Sequence, residues 1–188
     1  MRTCLSKIQL FFREMAQVVD SCRLSVVVLT DGDSRRAMNI ICDEAMTQQL
    51  LIRIHHLPGE ETMLPEVLTQ MLIAHGPHAK QDFELLVYGV SEGQYLTELR
   101  CLPTGVSVPI RISDAVLLSI SSDISLYIDE MLFLRQSSNY VPHTSGLIIP
   151  INTIGLEQLN EELKKAIADE NYRLASSLHE EIKKRNKQ

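Results

Sequence analysis

The order of apolar and polar positions divides most of this chain into short strands and amphipathic helices. Residues 7–12 place Ile8, Leu10 and Phe12 at every second position, the signature of a half-buried strand. Residues 24–30 are a β-branched run that ends in the turn signal Asp31-Gly32-Asp33-Ser34, and residues 35–41 return as its hairpin partner. Asp43 and Glu44 open a predicted helix that runs to about residue 56, with Met46, Leu50 and Ile54 on one stripe. A second helix is predicted over residues 64–75. Its stripe is Leu64, Val67, Leu68, Met71 and Leu72, and Gly76-Pro77 stops it. Strands are expected over residues 82–90 and 94–102, joined by Ser91-Glu92-Gly93, and a third over 106–112. Ser113 is the expected cap of a helix to about residue 121. A short strand at 124–128 and a last helical turn complete the body. Hairpins mixed with helices predict an α+β domain over residues 1–135 rather than a doubly wound sheet.

A polar stretch at residues 136–155, with two prolines and a terminal glycine, reads as a linker. Beyond it Leu156, Leu159, Leu163, Ala166 and Ile167 recur at helical spacing, as do Tyr172, Ala175, Leu178 and Ile182. Asp169-Glu170-Asn171 between them predicts a tight turn and an α-helical hairpin over residues 156–188. This segment resembles the UVR motif of bacterial excinuclease subunits, matching L-x-x-A followed by E-x-Y-x-x-A-x-x-L-x-x-x-I. The resemblance implies an association device, in which one hairpin packs on another. Leu163, Ile167, Tyr172, Leu178 and Ile182 are then the expected partner-binding residues. Isolated helices this short are marginal in water, so the stripe needs cover from the body, a second copy or a UVR-bearing partner.

Ile40-Ile41-Cys42-Asp43-Glu44-Ala45 and Ile110-Arg111-Ile112-Ser113-Asp114-Ala115 echo each other, each taking an apolar strand into a helix that begins with an acidic residue and alanine. Two such units suggest an internal duplication.

Charge narrows the range of functions. The net charge is −6, and the tail from Leu156 is balanced at seven acidic and seven basic residues. The body therefore carries the whole imbalance, which argues against a broad basic face for nucleic acid. It leaves room for a metal-assisted site, which is itself acidic. The four cysteines are scattered without a C-x-x-C pair, as expected of free thiols in a reduced, cytoplasmic protein. The start lacks the apolar core of a signal peptide, and the apolar runs are strand-sized, so no membrane span is expected.

Arg111-Ile112-Ser113-Asp114-Ala115-Val116 is similar to the D-A-R-P-S-D-A-I signature of the bifunctional nuclease family, and Glu44-Ala45 falls where that family has E-A-Q-A-I. The resemblance covers about residues 7–135. It implies an α+β fold, oligomerisation, and metal-dependent cleavage of DNA or RNA. Departures are equally specific. The signature Asp falls on Pro109 and its Pro on Ile112, and the glycine after the hairpin strand falls on Cys42. The family's R-P-L-T-H-D segment falls on residues 62–67, Thr-Met-Leu-Pro-Glu-Val, without the Arg, His or Asp.

Asp114 and Glu44 are the carboxylates expected to act as catalytic groups and to hold Mg²⁺ or Mn²⁺ together with substrate phosphate. A carboxylate in the first turn of a helix also stabilises the helix dipole with no function at all. Arg111 is the expected phosphate clamp, or else an ion-pair partner of Asp114 tying strand to helix. The pairs His55-His56 and His75/His78 default to helix-end polar residues, and Arg35-Arg36 to a solvated hairpin tip. Two functions compete: a metal-dependent phosphodiesterase, and a non-catalytic oligomeric interaction protein on the same fold.

Overall fold

The computed structural model describes residues 6–17, 25–140 and 155–186. Eight strands form one sheet: β1 (Lys7–Gln17), β2 (Ser25–Thr30), β3 (Arg36–Cys42), β4 (Phe83–Ser91), β5 (Gln94–Cys101), β6 (Val106–Ile110), β7 (Leu126–Asp129) and β8 (Ser138–Asn139). Their spatial order is β6-β5-β4-β7-β1-β2-β3-β8. Every neighbouring pair is antiparallel except β4 with β7. Four helices belong to the body: α1 (Glu44–Ile54), α2 (Leu64–His75), α3 (Ile112–Ser122) and α4 (Glu130–Gln136). The fold is α+β, as its hairpins imply. The order has a centre: β3-β2-β1 on one side of β7 and β4-β5-β6 on the other, each triplet followed in the chain by a helix.

The β2–β3 hairpin forms where the turn residues demand it. One Asp31 side-chain oxygen accepts from the backbone N–H of Arg35 at 2.8 Å and Arg36 at 3.3 Å, and Ser34 takes positive φ to close the loop. Val27, Leu29, Met38 and Ile40 share the core face with Leu10, Leu85, Val87, Leu126 and Ile128, closed over by Leu50, Ala115, Val116 and Phe133. Burying each such large side chain contributes roughly 1.5–3 kcal/mol. Pro109 lies on β6 at one end of the sheet. A strand at the edge tolerates a residue without an N–H, and that missing donor discourages edge-to-edge pairing.

Three expectations need correction. Ser113 does not cap α3. The helix begins at Ile112, Arg111 occupies the cap position with extended backbone, and no side chain accepts a cap hydrogen bond there. The strand before it is shorter than expected, ending at Ile110, so the helix starts earlier. Second, residues 136–140 belong to the sheet and not to a linker. Gln136 is buried at the end of α4, β8 pairs with β3, and the Tyr140 N–H donates to Arg35 O at 2.9 Å. Arg36 fixes this closure by donating to Ser137 Oγ at 2.7 Å and Ser137 O at 2.6 Å. It is therefore not part of a solvated tip, whereas Arg35 is, beside Asp33 at 3.6 Å. Third, the echo between the two strand–helix units is out of register, with Glu44 at the first helical position of α1 and Asp114 at the third of α3.

The α5 (Leu156–Ala168) and α6 (Tyr172–Arg185) helices form the expected hairpin. Asn171 caps α6 by accepting from the Leu174 N–H at 3.2 Å. Leu159, Ala166, Ala175, Leu178 and Ile182 are buried as a small cluster of their own, with Leu163 partly buried against it. The rest of the expected linker, residues 141–154, lies outside the described residues.

Candidate functional site

The strand-to-helix junctions of the two halves meet. α1 and α3 contact each other, α3 also contacts β3, and the charge of Asp43 at the start of α1 reaches Arg111 at the start of α3. Asp43 caps α1 by accepting the Met46 N–H at 2.7 Å, and the Thr47 hydroxyl donates to Asp43 O at 2.7 Å. Arg111 grips Asp114 bidentately, Nε to one carboxylate oxygen at 2.7 Å and Nη2 to the other at 3.0 Å. The ion-pair alternative for Arg111 is thus realised. Its side chain is nevertheless 71% exposed, and among the described residues no protein group accepts from its Nη1.

Electrostatics link the two junctions. The hydrogen bond and charge of Asp114 raise the Arg111 pKa, and the charge of Asp43 adds to them. Burial pushes the Cys42 thiol up to about 12, and the charges of Asp43 and Asp114 push in the same direction. Asp43, Asp114, Arg111 and Cys42 therefore share one neighbourhood. Glu44 is exposed at the start of α1, and among the described residues no hydrogen bond or ion pair joins it to Arg111 or Asp114. Of the three residues expected to act together, the structure pairs two. Asp43 is the carboxylate that sequence reasoning passed over as a mere helix opener. Its signal was its place directly after the strand, where a cap must stand.

A divalent metal at this junction would need ligands from outside the protein. Among the described residues no group of three or more His, Cys, Asp and Glu could hold an ion. Asp43 and Asp114 both act on the Cys42 thiol, and Mg²⁺ commonly takes one or two carboxylates plus phosphates. Two of the histidines have partners of their own. His56 faces Glu60 at 3.5 Å, and His78 lies 3.9 Å from Asp82 with its ring edge-on to Phe83.

Residues 62–67 have a structural use here. Met63 is the cap residue of α2, Pro65 lies in its first turn, and Glu66 receives Arg53 Nε at 2.6 Å and Nη2 at 2.7 Å. On the hairpin, Leu178 and Ile182 are buried between the helices, while Ile167 and Tyr172 are 55% and 69% exposed. Of the five expected partner-binding residues, those last two are open to a partner. No helix among the described residues is long and apolar enough to cross a membrane.

No curated protein matches the sequence. A model of the bifunctional nuclease domain matches residues 27–140, which spans the two hairpins, both strand-to-helix junctions and the closing strand β8. On that match the chain belongs to the bifunctional nuclease domain family.

Proposed function

We propose that this protein hydrolyses nucleic-acid phosphodiester bonds with Mg²⁺ or Mn²⁺ at the junction of α1 and α3, and that its C-terminal hairpin is a UVR-type association device. One observation carries the catalytic reading. The N-terminus of α3 has no side-chain cap, and the exposed guanidinium of Arg111 stands at that position. Uncapped amide N–H groups with a helix dipole behind them bind phosphate oxygens, and an arginine beside them adds a planar donor.

The roles follow from charge. Asp43 and Asp114 would hold the cation, which when bound acidifies a water and polarises the phosphoryl oxygen. Arg111 Nη1 would donate to a non-bridging phosphate oxygen while Nε and Nη2 hold Asp114 in place. Glu44, exposed on the neighbouring turn, would accept the proton of the attacking water. A P–O bond to that water then forms as the bond to the leaving sugar oxygen breaks. In the hairpin, Ile167 and Tyr172 would cover a second helical pair, on this chain's copy or on another UVR-bearing protein.

A specific observation favours the competing reading, an interaction protein without catalysis. Arg111 and Asp114 already neutralise each other, and residues 62–67 serve the packing of α2. Cleavage of labelled single- and double-stranded DNA and RNA, with Mg²⁺, Mn²⁺ or EDTA, separates the two. We expect cation-dependent cleavage that EDTA abolishes and that Asp114→Asn lowers at least about 100-fold. The melting temperature should move little, because an exposed ion pair is worth only about 0–1 kcal/mol. No cleavage of any substrate with either cation would overturn the catalytic reading.

A further inference from the structure

Helix α2 is laid on the body inside out. Seen along its axis, Leu64, Val67, Leu68 and Met71 fall on one side with Leu72 at its flank. Such a stripe ordinarily faces the core. Here these residues are 68%, 41%, 52%, 55% and 55% exposed, and the only buried residue of the helix is Thr69, on the opposite side. The one charged residue that α2 holds, Glu66, points inward to Arg53. Apart from His75 in its last turn, the outward face of this twelve-residue helix therefore carries no ionisable group.

We propose that this face is the contact between two copies of the chain, with α2 packed antiparallel on α2 across a two-fold axis near Leu68. The area is of the right order. With 41–68% of each of these five large apolar residues exposed, the stripe matches the largest apolar patch of a monomer, about 300–600 Å², and its full cover in a symmetric pair would remove up to about 1,100 Å² from water, against the ~1,000 Å² expected of a specific interface. The stripe is also self-complementary, as a two-fold contact requires. With the axis at Leu68, Leu64 of one copy meets Leu72 of the other. The same symmetry brings the exposed Glu61 at one end of the stripe to the exposed His75 at the other, and opposes the helix dipoles. The stripe itself holds no Asp, Glu, Lys or Arg to specify a charged partner.

This contact is independent of the nuclease and hairpin readings. The test is the mass of the full-length chain by sedimentation velocity, for the parent, Leu68→Glu, and Ile167→Ser with Tyr172→Ser. We expect a dimeric parent, a hairpin variant that stays dimeric, and at least a 100-fold weaker dimer for Leu68→Glu. A second variant guards against a folding defect. Residues on the line of centres of helices packed 8–10 Å apart have Cα atoms within disulfide reach, so Leu68→Cys should form an oxidant-induced covalent dimer that the parent does not. A monomeric parent would overturn the proposal. So would a Leu68→Glu chain with unchanged mass, or a Leu68→Cys chain that links no better than the parent.

Discussion

Glu66→Ala tests what holds α2 on the body in this orientation. The Arg53 side chain is 3% exposed and that of Glu66 11%, and the guanidinium makes four hydrogen bonds. Two go to Glu66, and Nη1 donates to Gln49 O at 2.8 Å and Gln49 Oε1 at 3.1 Å. Removing the carboxylate leaves a buried cation with only neutral acceptors, a loss of about 3–5 kcal/mol. For a chain of this size that corresponds to a fall in melting temperature of roughly 6–20 °C. The companion variant is Arg53→Met with Glu66→Leu, which replaces the pair by apolar groups of similar length. Buried pairs so replaced are commonly neutral or better, so the double variant should lie within about 1 kcal/mol of the parent. Urea unfolding of the parent, Arg53→Met, Glu66→Leu and the double variant gives the coupling energy directly. A Glu66→Ala chain within about 0.5 kcal/mol of the parent would refute the reasoning, for α2 would then be held by something other than this pair.

Further outcomes follow from the same contacts. Folding holds the Cys42 thiol protonated to about 12, against 9.0 for an ordinary thiol. Because that value is raised, its contribution is fully present below pH 9 and is lost as pH rises from 9 to about 12, at roughly 1.4 kcal/mol per unit. Parent minus Cys42→Ala stability, measured across that range, should show this slope, and a flat difference would show that Cys42 is not buried as described. Iodoacetamide at pH 8 should label Cys101 before Cys42 in the folded chain, with tryptic mass spectrometry as the readout. Leu178→Asp places a charge in the small cluster formed by Leu159, Ala166, Ala175 and Ile182, at a cost of about 3 kcal/mol or more. Far-UV circular dichroism should lose the helicity of α5 and α6 while the thermal transition of the sheet persists. Unchanged helicity would mean that the pair does not depend on its own core.

How far the sequence carried depended on what each signal encodes. The ends of α2 were legible to the residue, because Pro65 near the start and Gly76-Pro77 at the end act locally on the backbone. Its orientation was not, since a stripe says which residues share a face but not what lies opposite. Only Thr69 and Glu66, polar residues on the buried side, hinted at the inversion. The hairpin at Asp31–Ser34 was legible for the same local reason. The insertion of β7 between β4 and β1, and the pairing of Ser138–Asn139 with Arg36–Ala37, rest on contacts about 40 to 120 residues apart in sequence, which no short-range pattern records. The candidate site was half legible. The signature pointed to Arg111 and Asp114, which the structure joins as an ion pair, while the nearness of Asp43 to Arg111 was hidden behind its capping role.

That last ambiguity shapes the chemistry of the whole site. The N-terminus of α3 offers one region of positive potential, from its uncapped amides and Arg111, and Asp114 already occupies part of it. A substrate phosphate entering there meets the negative charges of Asp114 and Asp43, both close enough to act on the Cys42 thiol. At about 4 Å, two like charges near a protein surface repel by roughly 4 kcal/mol, enough to cancel most of what one arginine contributes. Phosphate therefore cannot bind well at this junction unless a cation neutralises the carboxylates. The same two carboxylates that weaken anion binding alone are the ones that would recruit such a cation. Substrate affinity should then rise with Mg²⁺ concentration even before any bond is broken. Binding that is indifferent to the cation would locate the phosphate elsewhere on the molecule, and the Arg111–Asp114 pair would be left with its structural task of tying strand β6 to helix α3.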